Sequence, residues 1–160
     1  MNIGILGAGN IAGSMARTIC GMAAQGRPVT LYAVASRSQE KADAFAKAYG
    51  IPHADGSYAA MRNDPLVELV YIATPHSHHA EQIRQCVAAG KPVLCEKSFT
   101  ANAKQAEDVL REAEAAGVYV AEAIWTRYMP ARGMNGDILA SAANGEARFL
   151  SAHTADDLEH

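Results

Sequence analysis

The chain has 160 residues, of which 49% are hydrophobic and 19% are charged, so it is long enough for one domain with a substantial core. Its formal net charge of −3 argues against a surface that binds nucleic acid. No apolar run approaches the length of a membrane span, and the N-terminus resembles a core strand and not a signal peptide. We therefore expect neither a nucleic-acid nor a membrane partner.

The chain has three cysteines, Cys20, Cys86 and Cys95. Their odd number and the lack of CxxC spacing argue against a disulfide framework or a structural zinc site, and favour a cytoplasmic location. We expect all three to be small buried hydrophobic residues.

A glycine-rich turn follows the first predicted strand. Residues 2–6 predict a buried strand, and the segment Gly7-Ala8-Gly9-Asn10-Ile11-Ala12 then opens a helix over residues 10–25. Gly7 permits a tight turn, Gly9 lets the backbone approach a phosphate, and the helix N-terminus offers free N–H groups to an anion. The pattern predicts a site for the pyrophosphate of a dinucleotide, formed by Gly7, Gly9, Asn10 and Ile11.

Predicted strands and helices alternate through the following segments. The strands are predicted over residues 29–35, 67–73, 93–95 and 118–121. The helices are predicted from Ser38 to about Tyr49, from just after Pro75 to Ala89, and from Asn102 to Gly117. Repeated β-α units of this length imply parallel strands joined by right-handed crossovers. The predicted fold is α/β, a Rossmann-type doubly wound parallel sheet whose ligand lies at the carboxyl ends of the strands.

The alternation ends near Pro130. Residues 131–143 predict another helix and residues 147–152 a strand, whereas Leu158-Glu159-His160 resembles the start of an affinity tag. We therefore expect a nucleotide-binding domain over residues 1–129. Residues 130–157 would then form a linking helix and the first strand of a mostly absent α+β domain, with a tag remnant over 158–160. Whether the chain is a truncated piece or a naturally short protein stays open.

The end of the second predicted strand bears on the choice of dinucleotide. NAD sites usually place an acidic residue there for the ribose hydroxyls, but this chain has Ser36 and Arg37, with Lys41 one helical turn later. A hydroxyl and two cations suit a 2′-phosphate. The pattern favours NADP, with NAD still possible. The alternative is that Arg37 is a solvated loop charge and Ser38 only caps a helix.

Three further stretches complete a family pattern. They are Ala73-Thr74-Pro75-His76-Ser77-His78-His79, Cys95-Glu96-Lys97 and Trp125-Thr126-Arg127. Together with the glycine turn they resemble the Gfo/Idh/MocA oxidoreductases, especially the branch of dihydrodiol dehydrogenases and NADP-dependent xylose dehydrogenases. The resemblance covers residues 1–152. It implies transfer of a hydride between a nicotinamide and a secondary alcohol or carbonyl of a sugar, polyol or diol.

The resemblance also assigns residue roles. Lys97 would be the catalytic lysine that hydrogen-bonds the reacting hydroxyl and assists proton transfer, and Glu96 would approach the nicotinamide ribose. The implied cofactor-binding residues after the second strand are Ala73, Thr74, Pro75, His76, His79, Glu96, Lys97, Trp125 and Arg127. The family implies no metal, and it implies that the full-length form is a homo-oligomer that binds its small-molecule substrate largely through a second domain.

This chain departs from the family at Ser98, where relatives carry a proline that commonly follows a cis bond. A cis bond costs more before serine than before proline, so both a cis and a trans Lys97–Ser98 bond remain open. The second departure is length. Because the second domain is mostly missing, we expect the chain to bind nucleotide and to catalyse poorly.

Several alternatives stay beside this interpretation. His76, His78 and His79 suggest a metal site, but imidazoles two residues apart on a helix face apart, so we expect none. Trp125 could simply fill a core, and Tyr58 could reach an adenine or pack a short helix. The chain could be a non-catalytic nucleotide-binding module. A methyltransferase is disfavoured because no acidic residue ends the second strand. The substrate and the oligomeric state are left open.

Overall fold

The computed structural model describes residues 1–141, in which parallel strands and helices alternate. The strands are β1 (Asn2–Leu6), β2 (Thr30–Ala35), β3 (His53–Asp55), β4 (Leu69–Ile72), β5 (Val93–Cys95) and β6 (Val120–Glu122). The helices are α1 (Asn10–Ala24), α2 (Gln39–Tyr49), α3 (Tyr58–Asn63), α4 (His79–Ala88), α5 (Ala103–Ala116) and α6 (Pro130–Ala140). Two 3-10 turns span His76–His78 and Trp125–Tyr128.

All six strands form one parallel sheet in the order β3-β2-β1-β4-β5-β6. The chain runs outward from β1 to β3, returns to the centre at β4, and then runs outward to the other edge. The carboxyl ends of β1 and β4 therefore flank the point where the strand order reverses, which is where doubly wound sheets bind ligands. The predicted Rossmann-type α/β fold is confirmed.

Apolar side chains pack on both faces of the sheet. On one face, Ile5 and Val34 pack with residues of α1 and α2, including Ile19 and Phe45. The opposite face packs Leu6, Val70 and Ile72 with residues of α4 and α5 such as Ile83 and Val109. Because both faces are covered, the central strands are almost continuously apolar, as expected for a parallel sheet.

Side-chain caps and glycines set the helix ends. Ser38 and Asn102 accept hydrogen bonds from the backbone N–H groups of Lys41 and Gln105, so α2 and α5 begin where capping residues predict. At the end of α5, Gly117 adopts a left-handed conformation, with a φ of 66°. The N–H of Val118 still donates to the helical carbonyl of Ala113, at 2.9 Å. For this reason β6 begins at Val120, two residues later than predicted.

Two elements between β2 and β4 extend the predicted pattern. The three-residue strand β3 was not predicted, and it pairs in parallel with the end of β2, with Ala35 opposite Asp55. The short helix α3 follows it and buries Met61 against the sheet. These elements form the edge of the sheet next to the carboxyl end of β2.

The structure confirms the predicted burial of two cysteines. Cys86 and Cys95 are buried in the core, but Cys20 is exposed, so the prediction for Cys20 was wrong. Cys20 follows Ile19, the buried residue of that turn of α1, and the helical period of 3.6 residues turns the next side chain outward. Burial raises the pKa of Cys86 to about 12.

The described residues fall into two compact units, Met1–Ala123 and a unit that begins at Ile124. The second unit contains the turn Trp125–Tyr128 and α6, whose bounds lie close to the predicted helix over residues 131–143. A boundary at residue 129 stays a prediction. The strand predicted over 147–152 and the tag remnant over 158–160 lie outside the described residues. Among residues 1–141, no helix has the length and apolarity to cross a membrane.

Candidate functional site

The turn between β1 and α1 has a backbone that only small residues allow. Gly7 has a φ of 109°, and a Cβ added there would lie 2.7 Å from the carbonyl oxygen of Ala73 at the end of β4. Gly9 precedes α1 in an extended conformation and makes no side-chain cap. A Cβ added at Gly9 would meet no atom within 4 Å. The first glycine therefore permits the packing of β1 against β4, whereas the second leaves open the space before the N-terminus of α1.

An open cleft of about 600 Å³ lies at the carboxyl ends of β1, β2 and β4. Its lining combines eight predicted cofactor-binding residues with three others. The predicted ones are Gly7, Gly9, Ser36, Arg37, Lys41, Ala73, Thr74 and Pro75; the others are Ala8, Ser38 and Tyr58. Within the part of the chain that the structure describes, the only charged residues of this lining are Arg37 and Lys41. The cleft wall is therefore cationic at one end.

Local hydrogen bonds shape that cationic end. Ser36 is buried, its N–H donates to the carbonyl of Asp55 at 2.9 Å, and its Oγ accepts from the N–H of Ser38 at 3.4 Å. The Oγ of Ser38 in turn accepts from the N–H of Lys41. These bonds turn the chain directly from β2 into α2. Arg37 stays exposed on the turn, and Lys41 follows within the first turn of α2. Ser38 both caps the helix and lines the cleft.

A second cavity of about 180 Å³ adjoins the cleft and shares Arg37, Tyr58 and Pro75 with it. Its remaining lining comes from the region of α4, namely His78, Glu81, Gln82 and Gln85. Tyr58 is half-buried, packs against the core and lines both cavities. Its two predicted roles, packing a short helix and facing a ligand, are therefore compatible. The four residues from the region of α4 were not predicted to line a site, because polar side chains on a helix and on the turn before it are equally typical of a solvated surface.

Buried polar groups join α4 to the ends of β4 and β5. Thr74 donates its hydroxyl proton to the Oε1 of Gln82. The ring of His79 is 1% exposed, with Nε2 2.8 Å from the carbonyl oxygen of Thr74 and Nδ1 2.9 Å from that of Ser98. His79 does not line the cleft itself. It contacts the backbone that forms the cleft wall, and on its other side the segment that follows β5.

The segment after β5 carries the predicted catalytic lysine. Glu96 is buried, where its Oε1 accepts a hydrogen bond from the hydroxyl of Tyr71 and its Oε2 accepts one from the N–H of Lys97 at 3.2 Å. Burial, together with the hydrogen bond to Glu96, raises the pKa of Tyr71 well above its ordinary value, so the phenol remains a donor. The Lys97–Ser98 peptide bond is cis, which answers the question that the sequence left open.

Lys97 itself is exposed. Among the described residues, its ammonium group has no hydrogen-bond or ion-pair partner. Two residues later, the amide of Phe99 donates to the Oε1 of Glu122 at 3.0 Å. Two buried or half-buried carboxylates thus fix the backbone on either side of Lys97, while its side chain remains available.

Some predicted residues are not among those that line the cleft. Asn10 and Ile11 form the first turn of α1, and their side chains do not line the cleft. His76 is exposed in the 3-10 turn before α4 and lines neither cavity described above. Trp125 and Arg127 lie in the second unit; Trp125 is 63% exposed, so its alternative role as a core residue was wrong. In residues 1–141 no group of three His, Cys, Asp or Glu side chains is placed to hold a metal.

The glycine turn, the switch point and the cleft agree with a family match. Residues 1–123 match the Gfo/Idh/MocA model, described as an oxidoreductase family with an NAD-binding Rossmann fold. This chain belongs to the Gfo/Idh/MocA family. The resemblance proposed from the sequence is therefore confirmed.

Curated members of the Gfo/Idh/MocA family extend the match. The chain is 38% identical over 157 residues to a trans-1,2-dihydrobenzene-1,2-diol dehydrogenase of Mus musculus, a match that covers 98% of this chain and 46% of the relative. A human protein of the same name is 40% identical over 128 residues, covering 80% of this chain and 38% of that protein. The chain thus spans about half the length, or less, of the curated relatives that it matches.

Solved structures show the same architecture. A structure of KijD10, a 3-ketoreductase from Actinomadura kijaniata in complex with NADP, superposes with a TM-score of 0.82 at 28% identity, over 92% of this chain and 46% of that one. An NAD binding oxidoreductase from Klebsiella pneumoniae superposes with a TM-score of 0.81 at 31% identity, over 91% of this chain and 40% of the other. The fold of this Gfo/Idh/MocA chain is therefore one that oxidoreductases use.

Proposed function

We propose that this chain is the nucleotide-binding part of an NADP-dependent oxidoreductase. The enzyme would move a hydride between the nicotinamide and a secondary alcohol, or the matching carbonyl, of a small diol, polyol or sugar. The observation that carries the coenzyme choice is the charge of the cleft, whose charged lining among the described residues consists of Arg37 and Lys41. The relatives named as diol dehydrogenases and the 3-ketoreductase bound to NADP support the reaction class.

The end of β2 suits a phosphate better than a pair of ribose hydroxyls. A guanidinium, an ammonium and a hydroxyl are hydrogen-bond donors that match a 2′-phosphate. In NADH the free ribose hydroxyls are donors, and an acidic side chain at the end of the second strand usually accepts their hydrogen bonds. Asp55 ends the neighbouring strand, yet it is not among the residues that line the cleft. NADPH should therefore bind more tightly than NADH.

The glycine turn fits the pyrophosphate of the same coenzyme. The space before α1 is one that a side chain at position 9 would enter, and no side chain caps the helix there. Backbone N–H groups at the start of α1, together with the positive end of the helix dipole, would hold the pyrophosphate. Gly7, Gly9 and the first turn of α1 are the residues that fit this group.

The segment after β5 supplies the acid-base chemistry of the proposal. When bound, the coenzyme supplies or accepts the hydride. The ammonium of Lys97 would donate a hydrogen bond to the reacting oxygen and stabilise the negative charge that develops on it. Glu96 would act indirectly, because it accepts from the N–H of Lys97 while Tyr71 holds its other oxygen. This arrangement lets the side chain of Lys97 move toward substrate from a fixed backbone.

Two lysines of α2, one in the cleft lining and one outside it, provide a matched test of the coenzyme proposal. Lys41→Met removes a cation at the start of α2, and Lys47→Met removes one from its last turn, away from the cleft lining. A charge-assisted hydrogen bond contributes about 1.5–3 kcal/mol, so Lys41→Met and Arg37→Met should each weaken NADPH binding by about 10- to 150-fold. Binding of NADH should change little, and Lys47→Met should match the unaltered chain. Equal losses for both coenzymes would contradict the 2′-phosphate assignment.

The reaction is tested in a protein that contains this chain together with the remaining length of its relatives. Lys97→Met should reduce turnover at least about 100-fold, because a general acid-base group contributes at least that factor to the rate. The affinity for NADPH should stay within about twofold of that of the unaltered protein. Lys104→Met is the control, since Lys104 is 81% exposed and pairs with Asp108 on α5. Unchanged turnover in Lys97→Met would overturn the catalytic assignment. Tight NADPH binding without turnover of any diol or sugar would favour a non-catalytic binding module.

A further inference from the structure

The two ring nitrogens of His79 face two backbone carbonyls. Nε2 lies 2.8 Å from the oxygen of Thr74 and Nδ1 lies 2.9 Å from the oxygen of Ser98, and the side chain is 1% exposed. A carbonyl oxygen only accepts hydrogen bonds, so each of these contacts requires a proton on the ring nitrogen. Both distances are those of well-formed N–H···O bonds.

A neutral imidazole cannot satisfy this geometry. Each neutral tautomer has an N–H on only one of its two ring nitrogens. The other nitrogen would point its lone pair at the lone pair of a carbonyl oxygen, in a site closed to water. Turning the ring by 180° would place carbon atoms at both positions and lose both bonds. The imidazolium form donates to both carbonyls. We propose that His79 is a doubly protonated clamp that ties the turn after β4 to the Lys97–Ser98 turn and so positions Lys97.

Some charged groups near His79 favour the protonated ring and others oppose it. The carboxylates of Glu96 and Glu122 accept from the amides of Lys97 and Phe99 on the segment that His79 contacts, and their negative charge favours an imidazolium. The positive end of the α4 dipole opposes it, because His79 begins that helix. Lys97, which belongs to the same turn, and the exposed rings of His76 and His78, which precede His79 in the chain, add further opposing charge when protonated.

Hydrogen bonding decides between these opposing effects. Burial at 1% exposure penalises the charged ring, and hydrogen bonds to both N–H groups offset this cost, since each is paired with a carbonyl oxygen. Deprotonation would remove one bond and create a repulsive contact at less than 3 Å. The two carbonyl dipoles that point at the ring therefore favour the charged form.

The clamp connects the cleft wall with the predicted catalytic residue. Thr74 lines the cleft, and Ser98 directly follows Lys97. A shift of the Ser98 carbonyl would move the backbone of Lys97 relative to the cleft. His79 is thus a positioning residue that acts through Lys97. This consequence for the reaction rests on the proposed function, but the protonation of the ring does not.

The protonation is tested by NMR on the chain labelled with ¹⁵N in its histidine rings, in the absence of coenzyme. At pH 8 an exposed imidazole is neutral. We expect one ring in which both nitrogens carry protons, and we expect this signal to be missing from His79→Gln. Should that variant fail to fold, single substitutions of the other five histidines would identify the His79 signal by elimination. A His79 ring that shows one protonated and one bare nitrogen would overturn the clamp.

The positioning role is tested with the same variant. A glutamine at position 79 has one amide nitrogen and cannot donate to both carbonyls in this geometry. His79→Gln should change backbone amide shifts around residues 73–76 and 96–100 and leave those of Gly7 and Gly9 in place. In the longer protein, kcat should fall at least about 10-fold with little change in the KM for NADPH. His53→Gln, an exposed histidine on β3, is the control.

The outcomes separate this inference from the proposed function. If NADPH fails to bind but the His79 ring carries two protons, the clamp holds and the coenzyme assignment fails. If NADPH binds and the His79 ring is neutral, the coenzyme assignment holds and the clamp fails. Shift changes that spread over the whole sheet, or an unchanged kcat, would show that His79 does not position Lys97.

Discussion

One methyl group, added at either glycine of the first turn, should produce two different defects. Gly7→Ala forces a residue with a side chain to adopt a φ of 109°, with its Cβ 2.7 Å from the Ala73 carbonyl oxygen. Gly9→Ala adds the same methyl group at a position with ordinary extended backbone and no atom within 4 Å. We expect the first substitution to damage the fold and the second to damage nucleotide binding.

The expected magnitudes follow from these contacts. Backbone strain of about 1–3 kcal/mol and the clash with Ala73 together predict that Gly7→Ala lowers the free energy of unfolding by about 2–4 kcal/mol. For a chain of this size that corresponds to a Tm lower by roughly 5–15 °C. Gly9→Ala should change the free energy of unfolding by less than about 1 kcal/mol. Its methyl group should displace the pyrophosphate from at least one backbone N–H, weakening NADPH binding by about 10- to 150-fold.

Thermal unfolding and calorimetric titration with NADPH measure the two effects on the same samples. The affinity of Gly7→Ala is measured well below its Tm, so that only folded protein is titrated. If Gly9→Ala binds NADPH as tightly as the unaltered chain, the space before α1 is not the pyrophosphate site and the reasoning is refuted. A Gly7→Ala variant of unchanged Tm would refute the packing of β1 against the end of β4.

Three further predictions concern the protein around the cleft. Lys91 donates to two backbone carbonyls in the loop before β4, at 2.7 and 2.8 Å, so Lys91→Met should lower the free energy of unfolding by about 1–3 kcal/mol, measured by urea unfolding. Because burial raises the pKa of Cys86 to about 12 and also raises that of Cys95, a thiol reagent at pH 8 should label Cys20 quickly and the other two only on unfolding. Burial, followed by repulsion from a neighbouring aspartate, raises the pKa of Asp55 above 3.8, so its charge opposes folding at neutral pH. Asp55→Asn should therefore raise Tm at pH 7, and this gain should shrink as the pH falls through the folded-state pKa and vanish below about 3.8.

Each of these predictions has its own contrary result. Lys104→Met serves as the control for Lys91→Met, because Lys104 is exposed; equal losses in both variants would deny the role of the two carbonyls. Two rapidly labelled thiols in the folded chain would contradict the burial of the cysteines. A Tm gain in Asp55→Asn that persists at pH 3 would show that the effect does not arise from the charge.

The fold was largely predictable because the signals are local. The apolar run of β1, the glycine turn and the capping residues Ser38 and Asn102 lie in the segments that they specify. The strand β3 could not be predicted, because three residues carry too little periodicity and its formation depends on pairing with β2. The outward orientation of Cys20 depends on which face of α1 contacts the sheet, which is a property of the packed structure.

The site was predictable where backbone chemistry specifies it and unpredictable where distant segments meet. The glycine turn and the pair Ser36 and Arg37 line one cleft, as the pattern after β1 and β2 indicates. The clamp by His79 could not be foreseen, since it depends on two carbonyls that are 24 residues apart in the chain and adjacent only in the fold. Asn10 and Ile11 were predicted from their place in the motif, which concerns their backbone and not their side chains.

The most direct test of the central proposal is a calorimetric titration of this chain with NADPH and, separately, with NADH. We predict that NADPH binds at least about 10-fold more tightly, because the cationic end of the cleft has a phosphate partner in NADPH alone. Equal affinity for the two coenzymes, or tighter binding of NADH, would contradict the proposal and return Arg37 to the role of a solvated loop charge.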